Sequence, residues 1–395
     1  MGTAAPGCPP GSAGQGLVFG PQLQASDSKN KKPSRASLDG QPGAAVPTLL
    51  GAGLCYKFYL EPVTHFLTGA VLARAGFNRR TALATATMTL AAEAPDLDIF
   101  SNLRGPVFGF AHHRGFTHSF LGLFLVSALV VGFMYLVWRL RGRRTNIPNL
   151  PPRWGLLFLF AYIAGLSHIL LDFTNNYGVR PFWPFWEKWY SWDIVFILEP
   201  ALYIFLIGGL VLPLFFSRHE PLPRGRKAAV LALIGVAGLY AFRDHEHRHA
   251  VDALQQQTFQ SAKPTRVSAY PYYWSPFRWY AVAETPAFFA SSDIDSRTGE
   301  INRAELEFIP KPPENAATIA AKSSYLGRVY LDWARYPLVT ESASAGDAEI
   351  HFKDLRFDYP EFRGRITLSC SVTLDQNLQV VKQMFGQREQ QPPLE

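Results

Sequence analysis

The chain has 395 residues, of which 48% are hydrophobic and only 17% are charged, with a formal net charge of +7. Soluble globular proteins carry about 25% charged residues, so the composition argues against a wholly soluble chain. The basic residues lie mainly in short clusters between apolar runs, as in the loops of membrane proteins, and this argues against nucleic-acid binding. Cys8, Cys55 and Cys370 form no CxxC pair, which excludes a cysteine zinc site.

Residues 1–55 are rich in Gly, Pro, Ala and Ser with scattered Lys. Such a stretch buries too little apolar surface to fold, so we predict a disordered low-complexity tail. It lacks the apolar core of a cleavable signal peptide.

Apolar runs predict a helical membrane domain over residues 56–242. The four long runs are Phe116–Trp138, Trp154–Phe173, Ile194–Phe216 and Lys227–Phe242. A helix of about 20 residues spans a hydrocarbon core of about 30 Å. Before these runs, Thr64–Ala75 and Thr81–Ala94 predict a hairpin of two short helices. The alternative, one kinked helix, would place Arg79 and Arg80 in lipid.

The basic loops also predict an orientation. Arg79–Arg80, Arg139–Arg144 and Arg218–Lys227 can all face the cytoplasm if the helices alternate. The segments Pro95–Arg114 and Asp172–Trp192, and everything after Phe242, then lie on the other side. The lysines of the tail would lie there too, and they argue against this orientation. We expect a multi-pass membrane protein, with the metal site and the C-terminal domain on the non-cytoplasmic side.

After residue 242 the composition changes. Residues 243–270 predict a juxtamembrane linker helix, and residues 271–395 a β-rich extramembrane domain. The predicted strands are Arg278–Glu284, Tyr325–Trp333, Glu349–Phe357 and Arg365–Leu374, which are rich in β-branched and aromatic residues. Nothing in this region indicates its partner protein. The expected fold is thus a polytopic α-helical membrane domain followed by a C-terminal β-rich domain.

Histidines and aspartates recur at the predicted membrane boundary. His168 and Asp172 are separated by four residues on one predicted helix, so both can reach the same ion. Asp96-Leu97-Asp98 follows Pro95 on a turn or strand, and His113 and His118 bracket a loop in which Gly115 allows a bend. Neutral imidazoles and carboxylates together favour Zn²⁺, Mn²⁺ or Fe²⁺ over Ca²⁺. The sequence therefore predicts a divalent-metal site.

Several motifs occur in the order of a known family: Thr64-His65-Phe66-Leu67-Thr68-Gly69, Pro95-Asp96-Leu97-Asp98, His113-Arg114-Gly115-Phe116-Thr117-His118-Ser119, Ser167-His168-Ile169-Leu170-Leu171-Asp172 and Asn176-Tyr177-Gly178-Val179-Arg180-Pro181. Over residues 62–200 the chain resembles the inner-membrane metal-dependent hydrolases, whose members include a LexA-binding, inner-membrane-associated hydrolase. The resemblance implies hydrolase activity and seven metal ligands: His65, Asp96, Asp98, His113, His118, His168 and Asp172.

These residues predict hydrolysis of an ester or phosphoester by metal-activated water, at a centre of one or two ions. Asp98, His118 and Arg114 are the candidate catalytic residues. Arg114 can clamp a phosphate or carboxylate with two hydrogen bonds, or form an interfacial salt bridge. A site at the bilayer surface favours a lipid-linked or amphipathic substrate.

Other interpretations remain open. The chain can be a non-catalytic membrane regulator or adaptor with a structural metal, or an ion- or proton-coupled transporter. His245-Glu246-His247-Arg248-His249 matches the HExxH pattern of zinc proteases, although a solvated helix face also explains it. Glu199 is expected to face the bundle and pair with Arg or His. Pro181–Trp192 predicts an aromatic belt at the interface.

Overall fold

The computed structural model describes residues 62–144, 150–216, 225–344, 347–363 and 368–390. The tail predicted over residues 1–55 lies outside the described residues.

The first half of the described chain is helical. Its helices are α1 (Pro62–Ala75), α2 (Ala84–Glu93), α3 (Pro106–His112), α4 (Phe120–Leu140), α5 (Trp154–Thr174), α6 (Pro200–Phe216) and α7 (Arg226–Gln255). Short 3-10 segments lie between them at Phe77–Arg79, Ala94–Arg104 and Phe116–His118. Among the described residues, α4, α5 and α7 are long and apolar enough to cross a membrane, whereas α6 is a shorter apolar helix.

The predicted hairpin before these helices is confirmed. Helices α1 and α2 are separate and pack closely, because small residues line their interface. A side chain at Gly69 would meet the carbonyl oxygen of Met88 at 2.7 Å and the Cβ atom of Ala92 at 2.9 Å. Glycine is therefore required where the two backbones approach.

Two apolar helices begin later than predicted. Helix α4 begins at Phe120, since Ser119 caps it: the Ser119 Oγ accepts a hydrogen bond of 2.9 Å from the Gly122 amide. Helix α6 begins at Pro200 rather than Ile194. Proline is accommodated there because the first-turn amides of a helix have no partner within the helix.

The membrane domain was predicted to end at Phe242, but helix α7 does not end there. It continues to Gln255, so a linker helix over 243–270 does not exist as a separate element, and strand β1 already begins at Arg266. The helix persists because its second half packs on a sheet. Ala250 and Leu254 are fully buried against that sheet, in one core with Trp279.

The C-terminal region contains two antiparallel sheets. The first comprises β1 (Arg266–Pro271), β2 (Arg278–Glu284), β3 (Phe288–Asp295) and β4 (Glu307–Pro310) in sequential order. The second comprises β5 (Pro337–Ser344), β6 (Asp347–Asp354), β7 (Cys370–Leu374), β8 (Val380–Phe385) and β9 (Arg388–Glu389), also in sequential order. The predicted β-rich character is confirmed, and β2 has the predicted bounds.

One predicted strand is wrong. Tyr325–Trp333 forms helix α9, which follows helix α8 (Ala316–Ser323). Its buried residues Leu326, Tyr330 and Trp333 recur at a helical spacing, and Ser324 caps its start. The predicted strands Glu349–Phe357 and Arg365–Leu374 are confirmed in part. Strand β6 ends at Asp354 before a 3-10 turn, and β7 begins at Cys370.

The second sheet shares its core with the helical part. Phe110 of α3 packs edge-on against Trp333 of α9, with ring centroids 5.2 Å apart. The Trp333 indole donates to the carbonyl oxygen of Tyr177, 3.1 Å away, and the buried Arg356 donates to that of Asn176, 3.0 Å away. The C-terminal region therefore supports the segment that follows α5.

Two arginines connect the C-terminal end of α1 with α6 and α7. Arg226 donates to the carbonyl oxygen of Ala75, and Arg74 to that of Leu210. These contacts place the C-terminal end of α1 beside the N-terminal end of α7. Which end faces the cytoplasm stays a prediction.

Candidate metal centre

Three segments bring four side chains to one point near the end of α5. The last two turns of α5 carry His168 and Asp172. The 3-10 segment after α2 supplies Asp96, and the 3-10 turn before α4 supplies His118. One ligand atom from each of the four lies within 4.8 Å of the others.

The separations within this cluster suit a single ion. The Nε2 atoms of His118 and His168 are 3.0 Å apart, and Oδ2 of Asp172 lies 3.2 and 3.4 Å from them. Oδ1 of Asp96 lies 3.5 Å from each Nε2. Ligands bound tetrahedrally at about 2.0–2.1 Å are separated by about 3.3 Å, so the cluster has the dimensions of a coordination shell.

Hydrogen bonds assign the tautomers of both imidazoles. Nδ1 of His168 lies 2.7 Å from the carbonyl oxygen of Ala92, which only accepts, so this nitrogen carries the proton. Nδ1 of His118 faces Oγ1 of Thr117 at 3.1 Å and a carboxylate oxygen of Asp98 at 3.4 Å. Both rings therefore present an Nε2 lone pair to the cluster, which is how histidine binds a metal.

The two carboxylates have unsatisfied oxygens at the same point. Both oxygens of Asp96 and Oδ2 of Asp172 are buried without a hydrogen-bond partner among the described residues. A buried acceptor without a donor is costly. Four acceptor atoms converge, and one proton shared between the imidazoles would satisfy only that pair. A divalent cation would satisfy all four, so the donor set fits a metal.

Asp98, a predicted ligand, lies just outside this cluster. Its Oδ2 accepts from the Arg114 amide at 2.7 Å, and its Oδ1 lies 3.1 Å from Nδ1 of His113. Burial alone would raise the pKa of the Asp98 carboxyl, but His113 and His118 bring it below its usual value. As a carboxylate behind Nδ1 of His118, Asp98 orients that ring.

Arg114 is fully buried and faces the cluster from behind. Its Nη2 donates to Oδ1 of Asp172 at 2.7 Å, its Nη1 to the carbonyl oxygen of Gly178 at 2.8 Å, and its guanidinium lies over the Tyr177 ring at 4.8 Å. The guanidinium therefore forms an ion pair with Asp172, and the predicted substrate clamp stays a prediction. The predicted bend at Gly115 is present, but Arg114 itself takes the positive φ of 52°.

His65 and His113 complete the surroundings. The His65 ring stacks on His168 with centroids 3.8 Å apart, and its Nε2 lies 3.6 Å from Oδ1 of Asp172. His113 points to Asp98 and is 22% exposed. Four of the seven predicted ligands thus form the cluster, while His65, Asp98 and His113 adjoin it. A second ion stays a prediction.

Glu93 was not among the predicted site residues. It ends α2, one turn before Asp96, and its Oε1 is buried without a partner among the described residues. Burial and the nearby Asp96 raise the pKa of Glu93 to about 7. Its position three residues before a ligand was the available sequence signal.

The HExxH segment is not assembled as a protease site. Glu246 is buried and accepts a hydrogen bond of 2.6 Å from Oγ of Ser296 on the sheet side of α7. His245 and His249 are exposed, with ring centroids 4.3 Å apart. Farther up the same helix, Arg243 forms the buried ion pair that was predicted for Glu199.

Comparisons with known proteins support the membrane assignment. Residues 60–247, slightly less than half of the chain, match the model of the family described as YdjM inner membrane protein. The uncharacterized protein YfhP of Bacillus subtilis (strain 168) is 27% identical over 128 residues, which is 31% of this chain. The match spans only 35% of the length of that relative. No solved structure matches the chain.

The matched region contains the whole four-residue cluster and the candidate spans α4 and α5. The similarity to an inner-membrane family and the apolar helices support a membrane location. The cluster and the candidate spans α4 and α5 therefore lie within the region that the family model matches, whereas both sheets lie beyond it.

Proposed function

We propose that this protein is a membrane-bound, metal-dependent hydrolase that cleaves an ester or phosphoester. The supporting observation is the meeting of two imidazoles and two carboxylates within 4.8 Å of one another, near the end of the candidate membrane helix α5 and directly before α4. A divalent ion held there supplies Lewis acidity, polarising an ester or phosphoryl oxygen and making water a better nucleophile near neutral pH. Zinc is the first candidate, with manganese or iron as alternatives.

Different residues would hold the ion and orient its ligands. His118, His168, Asp96 and Asp172 hold the ion, while Asp98 and Arg114 orient His118 and Asp172 through the hydrogen bonds described above. Asp96 is the accessible edge of the cluster, since its side chain is 21% exposed whereas the other three ligands are buried. A substrate would approach from this edge.

The surroundings of Asp96 favour a lipid-like substrate. Leu97, Phe100 and Leu103 lie on the same 3-10 segment and are 58%, 64% and 85% exposed. Apolar side chains exposed beside a metal centre at the end of membrane helices suit an amphipathic molecule that stays in the bilayer.

A non-catalytic membrane regulator or adaptor is the second candidate. Four protein ligands fill the shell of a tetrahedral zinc ion, and closed shells are typical of structural sites. A six-coordinate manganese or iron ion would keep two positions for water and substrate. The number of free positions therefore separates the two functions. A transporter that uses the same groups would instead move ions across sealed vesicles.

The test combines metal analysis with turnover. The full-length protein, purified in lipid nanodiscs, is assayed for bound metal and for cleavage of chromogenic carboxylic esters, phosphodiesters and phosphorylated lipids. We expect one ion per chain and turnover that His118→Ala abolishes. The matched control is the double variant His245→Ala/His249→Ala, which removes the exposed histidine pair of α7 and should change neither measurement.

The outcomes separate the hypotheses. Bound metal without turnover on any substrate class would favour the adaptor, and ion uptake into sealed vesicles that contain the protein, without turnover, would favour the transporter. Absence of metal from the wild type would contradict both the hydrolase and the structural-metal adaptor.

A further inference from the structure

A cavity of about 300 Å³ lies beside the metal centre, between α3, the segment after α5 and helix α9. This volume is within the range of small-molecule sites. Its lining includes four charged and two large aromatic side chains: Arg180, Glu187, Arg328, Asp332, Trp189 and Trp333. His113 and Tyr177, whose ring centroids are 5.5 Å apart, separate it from the metal ligands.

Arg180 is a buried cation without a carboxylate partner. Only 7% of the residue is exposed, and its Nη2 donates to the carbonyl oxygens of Ala111 at 2.6 Å and His113 at 3.2 Å. Its Nε is buried without a partner among the described residues. The guanidinium lies over the Trp189 ring at 4.5 Å, so it has a fixed position in the cavity wall.

The other three charges are also available to a ligand. Arg328 and Asp332 are four residues apart on α9 and thus share a helix face. Oδ2 of Asp332 accepts from the Trp189 indole at 3.1 Å, and Nη1 of Arg328 donates to the Ser323 carbonyl oxygen at 2.9 Å. Within the described part of the chain, none of the four charged groups that line the cavity forms an ion pair within 4.0 Å.

We propose that the cavity binds a zwitterionic group that carries a phosphate and an ammonium, of the phosphoethanolamine type. Two guanidiniums match a phosphate, since arginine binds phosphate oxygens in a planar, bidentate manner. The two carboxylates, Glu187 and Asp332, match an ammonium. A simple anion would leave Glu187 and Asp332 opposed to it, whereas a zwitterion complements all four charges.

The segment that forms the cavity also exposes aromatic side chains. Phe185 and Trp186, directly before Glu187, are 83% and 58% exposed, and Phe182 is 48% exposed. Aromatic side chains of this kind settle at the headgroup level of a membrane. A phospholipid headgroup is therefore one source of the ligand and a soluble phosphoethanolamine the other. This site goes beyond the proposed hydrolysis, because binding here requires no metal.

The test uses the full-length protein in nanodiscs of phosphatidylglycerol, titrated calorimetrically with O-phosphoethanolamine, inorganic phosphate or ethanolamine. We expect phosphoethanolamine to bind at least about tenfold more tightly than either half alone, because each half leaves two charges unmatched. Arg328→Gln and Glu187→Gln should each weaken it about tenfold. Both side chains are exposed, so the fold should survive. The control Arg303→Gln removes an exposed arginine outside the cavity and should have no effect.

A chelator should leave this affinity unchanged, so a failed hydrolase assay does not affect the result. Nanodiscs that contain phosphatidylethanolamine identify the source: competition with the soluble probe supports a lipid headgroup, and undiminished binding supports a soluble ligand. Equal affinity for phosphate and phosphoethanolamine would overturn the proposal in favour of a plain anion site. Wild-type affinity in both Arg328→Gln and Glu187→Gln would place the ligand elsewhere.

Discussion

The Nε2 atoms of His118 and His168 face each other at 3.0 Å, while each Nδ1 lies against an acceptor, the carboxylate of Asp98 for His118 and the carbonyl oxygen of Ala92 for His168. Two lone pairs at this distance repel, and the carboxylates of Asp96 and Asp172 add further negative charge. The arrangement is stable only when a cation or proton lies between the rings.

Metal removal should destabilise the protein. A ligand present at about 100 times its dissociation constant stabilises the folded state by about 2.7 kcal/mol. We therefore expect a chelator to lower the melting temperature of the wild type in nanodiscs and to leave His118→Gln unchanged. His249→Ala should retain the full chelator effect. A wild type that melts at the same temperature with and without chelator would count against the metal centre.

Substitutions of Asp96 and of Asp98 should weaken metal binding to different extents. Asp96→Asn removes a ligand, whereas Asp98→Asn removes only the carboxylate that orients His118. Loss of such an orienting partner weakens metal binding about 10- to 100-fold. We expect Asp98→Asn to bind metal within that range in a competition titration and Asp96→Asn to bind more weakly still. The reverse order would make Asp98 a direct ligand, as the sequence predicts.

Substitution of Arg114 separates a structural role from substrate binding. Arg114→Gln leaves the buried carboxylate of Asp172 without its ion pair, and loss of one partner from a buried pair costs about 3–5 kcal/mol. We expect a lower unfolding free energy in denaturant titrations. The exposed Arg303→Gln serves as the control and should be neutral. If Arg114→Gln kept wild-type stability and raised only KM, Arg114 would be a substrate clamp.

Glu246 should matter for stability and not for the metal. In Glu246→Gln the neutral amide accepts a weaker hydrogen bond from Ser296, and such bonds contribute about 0.5–1.5 kcal/mol, more when charged. We expect slightly reduced thermal stability with unchanged metal content. A zinc protease built on His245-Glu246-His247-Arg248-His249 would instead lose metal in His245→Ala and activity in Glu246→Gln.

Local patterns in the sequence determined much of this protein. Apolar run lengths predicted the candidate membrane helices, and Arg79–Arg80 predicted the hairpin break. The four-residue spacing of His168 and Asp172 placed two ligands on one helix face. These predictions succeed because helix periodicity depends on neighbouring residues. The same periodicity was overlooked in Tyr325–Trp333, where buried positions are spaced as in a helix.

Only the tertiary structure decided which residues share a point in space. It brought four of the seven predicted ligands together, placed the Ala92 carbonyl oxygen against Nδ1 of His168, and paired Arg114 with Asp172. It also extended α7 past Phe242, because a sheet formed far along the chain covers Ala250 and Leu254. These features depend on contacts between residues that are distant in the sequence, so a local sequence pattern does not predict them.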